Sequence, residues 1–200
     1  MKVELLSITP DAECLIESVG RICWKTEPTE GGPGLFIKKL IGRGHLSVIE
    51  HAGATFYIDG ISRACSHQLV RHRIASYSQE SQRYVDIRYA EFVVPKAIEN
   101  DLKARILWKD FIGYATIIYE DLRKLGIRKE DARFVLPNAT QTRIAVTMNF
   151  RELRHFFEVR CAKDAQWEIR ELAKRMLVIV YENAPNVFGD LFDEFCCVEF

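Results

Sequence analysis

The chain lacks the short motifs that define the commonest nucleotide-binding and hydrolytic sites. Its 200 residues contain no GxGxxG turn and no Walker-type phosphate loop. A nucleotide would therefore be held differently than in Rossmann or P-loop proteins. No GxSxG nucleophile elbow is present either, which argues against an α/β-hydrolase. What remains to be interpreted is the distribution of charge and the spacing of polar residues.

The chain also lacks net charge, since 28 Lys and Arg balance 28 Asp and Glu. This balance argues against a broad surface for nucleic acid or an anionic membrane. No apolar run reaches membrane-spanning length, and the first four residues do not predict a signal peptide. The six cysteines form no CxxC pair, which favours reduced thiols over disulfides or a zinc site. We therefore expect a cytoplasmic protein without a metal.

The 48% hydrophobic content is enough for a core, and the length favours a single domain over residues 1–200. Strands and helices mix without strict βαβ alternation, so we expect an α+β fold with an antiparallel or mixed central sheet flanked by helices. Strands are predicted at residues 3–8, 54–59 and 142–150, with a turn at Asp59-Gly60. Helices are predicted at residues 9–24, 35–41, 62–71, 96–125, 131–136, 151–161 and 166–183.

Two further expectations concern single elements. Apolar residues from Ile98 to Leu125 recur at helical spacing, which predicts one long helix with one apolar stripe. That stripe can serve the core or an interface between subunits. The tail, residues 188–200, is rich in Phe and acidic residues but has no clear period.

The most unusual stretch is residues 71–84. It contains three arginines, one histidine, three serines and two glutamines, with neither Gly nor Pro. Guanidinium groups and hydroxyls are typical phosphate ligands. From Ile61 to Arg83 four arginines oppose one glutamate, a local charge of 4 − 1 = +3. The sequence therefore predicts one local anion site in a neutral protein.

A second polar group occupies residues 45–51. Its simplest interpretation from spacing alone is a capping box, in which Ser47 is the N-cap residue and Glu50 lies three positions later.

A third polar group comprises Arg133, Asn149, Arg151, His155 and Arg160. Taken singly, the arginines are most simply solvated or paired with carboxylates, and His155 is most simply half-buried. Arg151 and His155 are four residues apart and share a helix face, whereas Arg160 projects elsewhere. The single ExxH pair formed by Glu152 and His155 falls short of the two pairs that a di-iron site needs.

Together these groups resemble the flavin-dependent thymidylate synthases. Arg71-His72-Arg73, then seven residues, then Ser81 fits that family's RHR-x7-S signature. Further matching segments, in the same order, are His45-x-Ser47-x-x-Glu50-His51, Arg133-Phe134-Val135-Leu136-Pro137, Asn149-Phe150-Arg151 and Ala165-Gln166-Trp167-Glu168-Ile169. The resemblance covers about residues 40–175.

The resemblance implies an enzyme of dTMP biosynthesis that methylates dUMP reductively to dTMP. It implies 5,10-methylenetetrahydrofolate as carbon donor and tightly bound FAD, reduced by NADPH, as hydride source. It also implies a homotetramer whose active sites are shared between subunits, with no nucleic-acid or membrane partner.

The resemblance also implies roles for individual residues. It implies FAD contacts from Ser47, Arg71, His72, Arg73, Gln79, Asn149, Phe150, Arg151 and His155. It implies dUMP contacts from Gln68, Leu69, Val70, Arg71, Gln79, Glu80, Ser81, Gln82, Arg83, Arg133 and Arg160. Arg160 would be catalytic, at the uracil edge, where it would favour ionisation of N3. A guanidinium can stabilise such an anion without itself titrating.

Three positions qualify the resemblance. Ser78-Gln79 stands where many members carry Asn-Glu, so Gln79 keeps an acceptor but loses a charge; we interpret this as a subtype. Asp164 replaces a histidine found in some members and is not included among the flavin ligands. We interpret Cys161, next to Arg160, as a packing residue rather than a nucleophile.

Two other functions are alternatives to the enzyme. One is a flavin or nucleotide sensor that keeps the pocket without catalysis. The other is an RNA-binding domain that uses residues 63–83, which the zero net charge and the scarce aromatic residues there disfavour.

Overall fold

The computed structural model describes residues 1–27, 31–85 and 90–197. Within them, four strands form an antiparallel sheet in the order β1-β2-β4-β3: β1 (Lys2–Ile8), β2 (Gly53–Ser62), β3 (Ala75–Gln79) and β4 (Gln141–Asn149). The helices are α1 (Ala12–Ile22), α2 (Pro33–Gly42), α3 (Arg63–Leu69), α4 (Lys96–Glu99), α5 (Leu102–Lys124), α6 (Lys129–Ala132), α7 (Phe150–Arg160), α8 (Trp167–Asn183) and α9 (Pro185–Phe195). Short 3-10 helices lie at Leu46–His51 and Arg133–Val135. The predicted α+β class is confirmed.

The chain divides into two compact units. The first comprises Met1–Ile58, Gln68–Ser78 and Ala145–Phe200. Its core contains Phe56, Phe150, Phe156, Phe157 and Phe188, all fully buried. Helix α7 packs against α8 and α9, and α8 packs against β1. These contacts place α7, which carries several predicted site residues, on the core of this unit.

The second unit comprises Asp59–His67 and Gln79–Ile144. Its small core is built on the buried Tyr119 of α5 and on Ala132. Partly buried hydrophobic residues pack around them: Ala90, Leu122, Val135 and Leu136. Of α5, which is 23 residues long, only Ala115 and Tyr119 are buried.

The sheet differs from the sequence prediction in two places. The turn predicted at Asp59-Gly60 is wrong, because β2 continues to Ser62. Gly60 has φ 75°, which glycine adopts without strain, and the alternation of buried residues slips by one there, as at a β-bulge. Strand β3 was not predicted, since its five residues, Ala75–Gln79, are mostly polar and short.

The single helix predicted over residues 96–125 is in fact two helices. Asp101 separates α4 from α5, and its Oδ1 accepts a hydrogen bond of 2.9 Å from the amide of Ala104, as an N-cap residue does. The prediction of one apolar stripe is also wrong. Ala115 faces the core, whereas Leu102 and Leu125 of the same predicted stripe are 63% and 78% exposed.

The tail is more regular than its sequence indicates. Helix α9 covers Pro185–Phe195 and buries Val187, Phe188 and Leu191. It is joined to α7 by Arg154, whose guanidinium donates to both carboxylate oxygens of Asp190 at 2.7 and 2.6 Å. In the described part of the chain, no helix is both long and apolar enough to cross a membrane.

Candidate active site

The turn after α3 carries His72, whose side chain is almost completely buried. Tyr77 of β3 fixes this turn, because its hydroxyl donates to the carbonyls of Leu69 and His72 at 2.9 and 2.7 Å. Burial, together with the charge of Glu152, raises the pKa of Tyr77 well above its usual value, so the hydroxyl keeps the proton that it donates.

The imidazole of His72 lies between two charged side chains. Nδ1 is 3.3 Å from Oε1 of Glu152, and Nε2 accepts a hydrogen bond of 3.1 Å from Nε of Arg160. Burial lowers the pKa of His72 to about 4, and the positive charge of Arg160 adds to this effect. His72 is therefore neutral at pH 7. Because a guanidinium only donates, Nε2 must be the acceptor, and the hydrogen of the neutral imidazole is then on Nδ1, the nitrogen that lies near Glu152.

Arg160 lies at the end of α7, 88 residues from His72 in sequence. Besides the bond to His72, its Nη2 donates to the carbonyl of Gln68 at 3.4 Å. Asn149 begins the same helix, and its Oδ1 accepts from the amide of Glu152 at 2.9 Å. A guanidinium has five N–H donors. Two of those of Arg160 donate to protein acceptors, and the others can donate to a ligand.

A cleft of about 470 Å³ opens over α7. Three of the predicted FAD residues line it: Asn149, Arg151 and His155. The remaining lining residues are Leu46, Glu50, Ile74, Glu152, Arg154 and Glu158. A second cleft of about 450 Å³ has Glu50, Ile74 and Asn149 in common with the first. His155 is exposed rather than half-buried, and its ring centroid is 5.6 Å from that of His72.

The capping box predicted in residues 45–51 is wrong. The 3-10 helix begins at Leu46, its N-cap residue is His45, and no side chain caps it. Ser47 therefore lies inside the helix and is exposed. The carboxylate of Glu50 instead accepts a hydrogen bond of 2.5 Å from Nη1 of Arg151.

The other predicted residues of this unit differ in what they offer a ligand. Arg71 and Arg73 are exposed, and among the described residues neither guanidinium pairs with a carboxylate. Leu69 and Phe150 are fully buried, so only their backbone atoms can contact a ligand. Val70 is partly exposed.

Gln79 lies in the second unit and is held by its amide nitrogen. Nε2 donates to the hydroxyls of Ser66 and Thr142 at 2.9 and 3.2 Å. A carboxylate has no hydrogen for either bond. Ser66 already donates its hydroxyl hydrogen to the carbonyl of Arg63, so a Glu at position 79 could accept only from Thr142. The amide oxygen of Gln79 makes no hydrogen bond to a described residue and remains for a ligand.

The segment after Gln79 is fixed by neighbours in the same unit. The Glu80 amide donates to the carbonyl of Arg143 at 2.9 Å, and the Ser81 hydroxyl accepts from the amide of Arg83 at 3.2 Å. The Arg83 guanidinium is 3.1 Å from the carboxylate of Glu130. Arg133 donates from Nε to the carbonyl of Glu130 at 3.1 Å, and Gln82 is half-buried.

No group of three potential metal ligands occurs in the described residues, and Glu152 of the ExxH pair is bound to His72 instead. Cys161 is buried, and burial, with Cys196 nearby, raises its pKa to about 12. At neutral pH Cys161 is therefore a thiol, in agreement with its interpretation as a packing residue.

The sequence interpretation missed Glu152 and Tyr77 as supports of His72. Asn149 and Glu152 have the spacing of a helix N-terminus, which locates Glu152 in the first turn of α7. Nothing in the sequence indicates that Glu152 faces His72, and no local pattern marks the contact made by Tyr77.

Comparison with known proteins gives matches over most of the chain. The family model described as "Thymidylate synthase complementing protein" matches residues 4–186. The flavin-dependent thymidylate synthase of Geobacter sulfurreducens is 48% identical over 200 residues, covering 95% of this chain and 86% of that protein. That of Nitratidesulfovibrio vulgaris is 43% identical over 209 residues, covering 94% and 85%.

A solved structure extends the likeness to the fold. The crystal structure of thymidylate synthase X from Helicobacter pylori with FAD and dUMP superposes with a TM-score of 0.79 at 25% identity, covering 96% of this chain and 98% of that one. Since the family model covers most of the chain and the relatives match nearly its whole length, the chain belongs to the family of flavin-dependent thymidylate synthases.

Proposed function

We propose that this chain methylates dUMP reductively to dTMP, with 5,10-methylenetetrahydrofolate as carbon donor and NADPH as reductant of a tightly bound FAD. The observation that carries this proposal is the family match over residues 4–186. The proposed catalytic unit is the single domain of residues 1–200. Six free cysteines support a reducing, cytoplasmic setting.

The residues of the first unit suit FAD. The guanidiniums of Arg71 and Arg73, which pair with no carboxylate in the described part of the chain, fit a diphosphate, which forked donors bind well. The residues of this unit proposed to hold FAD are Ser47, Arg71, His72, Arg73, Asn149, Phe150, Arg151 and His155. Gln79, of the second unit, is also a proposed FAD contact. Phe150 would act through its backbone, and Arg151 would have to exchange Glu50 for the ligand. When bound, FAD supplies the hydride of the reaction.

Arg160 is the proposed catalytic residue. Two protein acceptors, His72 Nε2 and the Gln68 carbonyl, orient its guanidinium, so little side-chain entropy is lost when substrate binds. The guanidinium stays protonated and stabilises negative charge on the uracil ring as N3 ionises. Because His72 is neutral, its Nε2 can accept the hydrogen bond from Arg160, and the imidazole adds no second positive charge.

The remaining proposed dUMP contacts come from the end of α3, from the polar segment that follows it, and from Arg133 of the second 3-10 helix. They are Gln68, Leu69, Val70, Arg71, Gln79, Glu80, Ser81, Gln82, Arg83 and Arg133. Leu69 would contribute only backbone atoms, since its side chain is buried. Gln79 would offer its amide oxygen, because Ser66 and Thr142 occupy the amide nitrogen.

A homotetramer with shared active sites is part of the proposal. Its support is a row of exposed apolar residues along α5 at helical spacing: Leu107, Phe111, Tyr114 and Ile118. Monomeric proteins seldom expose such a continuous apolar surface, so a second subunit is the simplest cover for it.

The proposal is tested with the purified protein and dUMP. We expect flavin absorbance in the visible spectrum and formation of dTMP only when methylenetetrahydrofolate and NADPH are both present. Rescue of a thymidine auxotroph separates the enzyme from a sensor with the same pocket. A colourless protein that takes up no FAD, or a coloured one that makes no dTMP, would contradict the proposal.

Arg160→Lys tests the catalytic assignment. Lysine keeps the charge but not the fork, so it cannot bond His72 and the substrate in the same geometry. We expect FAD content to be retained and kcat to fall about 100-fold or more. Arg175→Lys, an exposed arginine on α8, is the matched control and should leave kcat unchanged. Full activity in Arg160→Lys would refute the role.

A further inference from the structure

Glu152 is a buried carboxylate at the wall of the cleft over α7. Only 6% of the residue is exposed, and it is one of the residues that line the cleft. Among the described residues, His72 is the only basic residue within ion-pair distance of this carboxylate, with 3.3 Å between Nδ1 and Oε1. His72 is neutral, so this contact brings no cation. Burying a carboxylate in this way costs free energy, so stability alone does not account for Glu152.

The start of α7 does not account for the carboxylate either. Asn149 caps the helix, and its Oδ1 accepts from the amide of Glu152 at 2.9 Å. A Glu at this third helical position usually completes a capping box, in which its carboxylate accepts from the amide of the N-cap residue. In the described part of the chain the Glu152 carboxylate makes no such bond and lies beside His72 instead.

The imidazole of His72 connects the two ends of α7. Glu152 lies in the first turn of the helix and Arg160 is its last residue, and each is close to one nitrogen of the ring. Phe156, between them in sequence, packs against the same ring, with 5.0 Å between the centroids and an interplanar angle of 86°. Tyr77 holds the backbone carbonyl of His72. With backbone and ring fixed, the protonation of the two nitrogens decides what His72 offers to Arg160.

A neutral imidazole has one N–H, and its two tautomers place this hydrogen on different nitrogens. Arg160 needs a lone pair on Nε2, because its Nε donates to that atom at 3.1 Å. A negative charge 3.3 Å from Nδ1 stabilises the tautomer with the hydrogen on Nδ1. The other tautomer would turn a lone pair towards the carboxylate and an N–H towards the guanidinium. Glu152 therefore favours the tautomer that can accept from Arg160.

We propose that Glu152 is a positioning residue, which orients the guanidinium of Arg160 by holding His72 in the Nδ1–H tautomer. The proposal rests on the proposed function, in which Arg160 stabilises charge on the uracil ring. The family resemblance implies roles for His72 and Arg160 but none for Glu152. Glu152 acts only through the imidazole and contacts no reacting atom.

This role predicts an effect on turnover more than on dUMP binding. The guanidinium stabilises charge that develops on the uracil ring as N3 ionises, so its orientation matters most in the transition state. A change in the His72 tautomer should therefore lower kcat and leave the KM for dUMP almost unchanged.

Glu152→Gln tests the proposal, because glutamine keeps the shape of the side chain and removes its charge. We expect kcat to fall about 10-fold, as is usual when a group that orients an active-site residue is lost, and the KM for dUMP to change less than about twofold. FAD content should be retained and the Tm should be no lower, since a buried charge is removed. A merely structural residue would change the Tm and leave kcat as it is. Glu171→Gln, an exposed position on α8, is the matched control.

The nitrogen-15 chemical shifts of histidine measure the tautomer directly, in the FAD-loaded protein without substrate. Protonated and unprotonated ring nitrogens have well separated shifts, and His72→Gln identifies the His72 signals among those of the five histidines. We expect the Nδ1–H form in the wild type and in Glu171→Gln. Glu152→Gln should show a larger fraction of the Nε2–H form.

A double-mutant cycle tests whether Glu152 acts through Arg160. Lysine at position 160 has no planar fork to orient, so in the Arg160→Lys background Glu152→Gln should lower kcat by less than about twofold. Residues that act as one unit show such non-additivity.

Four results would overturn the proposal. They are wild-type kcat in Glu152→Gln, an unchanged His72 tautomer in that variant, a full 10-fold further loss in the Arg160→Lys background, and loss of FAD as the main effect, which would make Glu152 a flavin ligand. Failure of the proposed function looks different. A wild-type protein that takes up FAD but forms no dTMP refutes the reaction, and the tautomer comparison still decides whether Glu152 controls His72.

Discussion

His72 joins segments of the first unit that are far apart in sequence. Its carbonyl accepts from Tyr77 of β3, its Nδ1 lies 3.3 Å from the carboxylate of Glu152 in the first turn of α7, and its Nε2 accepts from Arg160 at the end of α7. The hydrogen bond from Arg160 determines the tautomer of the imidazole, because Nε2 must be its acceptor. At the residue scale, the contacts of His72 orient the guanidinium of Arg160.

The low pKa of His72 predicts how stability depends on pH. The folded-state pKa, about 4, lies below the usual value of 6.5, so between these values the unfolded chain takes up a proton that the folded chain does not. The His72 contribution to the free energy of unfolding is therefore present above pH 6.5 and lost as pH falls towards 4. Urea titrations from pH 4.5 to 7.5 should show a smaller loss on acidification in His72→Gln.

Glu152 also contributes to the pH dependence of stability, so the wild type has to be compared with His72→Gln. Burial raises the pKa of its carboxyl, so its contribution changes in the opposite direction as pH falls. The wild-type curve contains both effects, and only the difference between the wild type and His72→Gln isolates the imidazole. Identical pH dependence in the two proteins would contradict a neutral, buried His72.

Among the elements, α5 begins where it does because of Asp101, the N-cap residue that precedes it. The Asp101 carboxylate accepts from the amide of Ala104 and so satisfies one of the free amides at the helix start. The regular apolar spacing across residues 96–125 hides this break, because periodicity reports faces rather than ends. Strand β3 is not recognisable from the sequence because its residues are mostly polar and alternate only weakly between apolar and polar.

Asp101→Ala is predicted to destabilise the protein by about 1 kcal/mol, the typical cost of losing an N-cap side chain. The measurement is denaturant unfolding at one protein concentration, with an unchanged m-value. Asp110→Ala, an exposed interior position of the same helix, should change stability by less than about 0.5 kcal/mol. Equal effects of the two substitutions would exclude the cap as the cause.

For the whole molecule, the most informative surface is the outer face of α5. Leu107 is 70% exposed, and Phe111, Tyr114 and Ile118 continue the same row. The inner face of α5 packs on Ala132, Val135 and Leu136 through Tyr119 and Leu122. One helix thus presents two apolar faces, of which a single chain covers one.

Charges on the outer row should therefore prevent assembly. In Leu107→Asp with Phe111→Asp we expect sedimentation analysis to show species smaller than the wild-type oligomer, because each buried carboxylate would be desolvated without a partner. If the active sites are shared between subunits, turnover falls in parallel. Lys109→Asp, on α5 outside the row, is the control. A wild-type protein that sediments as a monomer would refute the interface.

Residue identity and spacing alone determined the family of this protein. RHR-x7-S and its partner segments are recognisable without a fold because they match the motifs of the family in residue type, spacing and order. The strands β1 and β4 and most helices were equally predictable, since their periodicity reflects one buried face.

Only the tertiary structure decided which polar groups meet. Arg160 and His72 are 88 residues apart, Arg151 and Glu50 are 101 apart, and Gln79 and Thr142 are 63 apart. No local pattern encodes such pairs, because a side chain's spacing along its own element does not specify what packs against it.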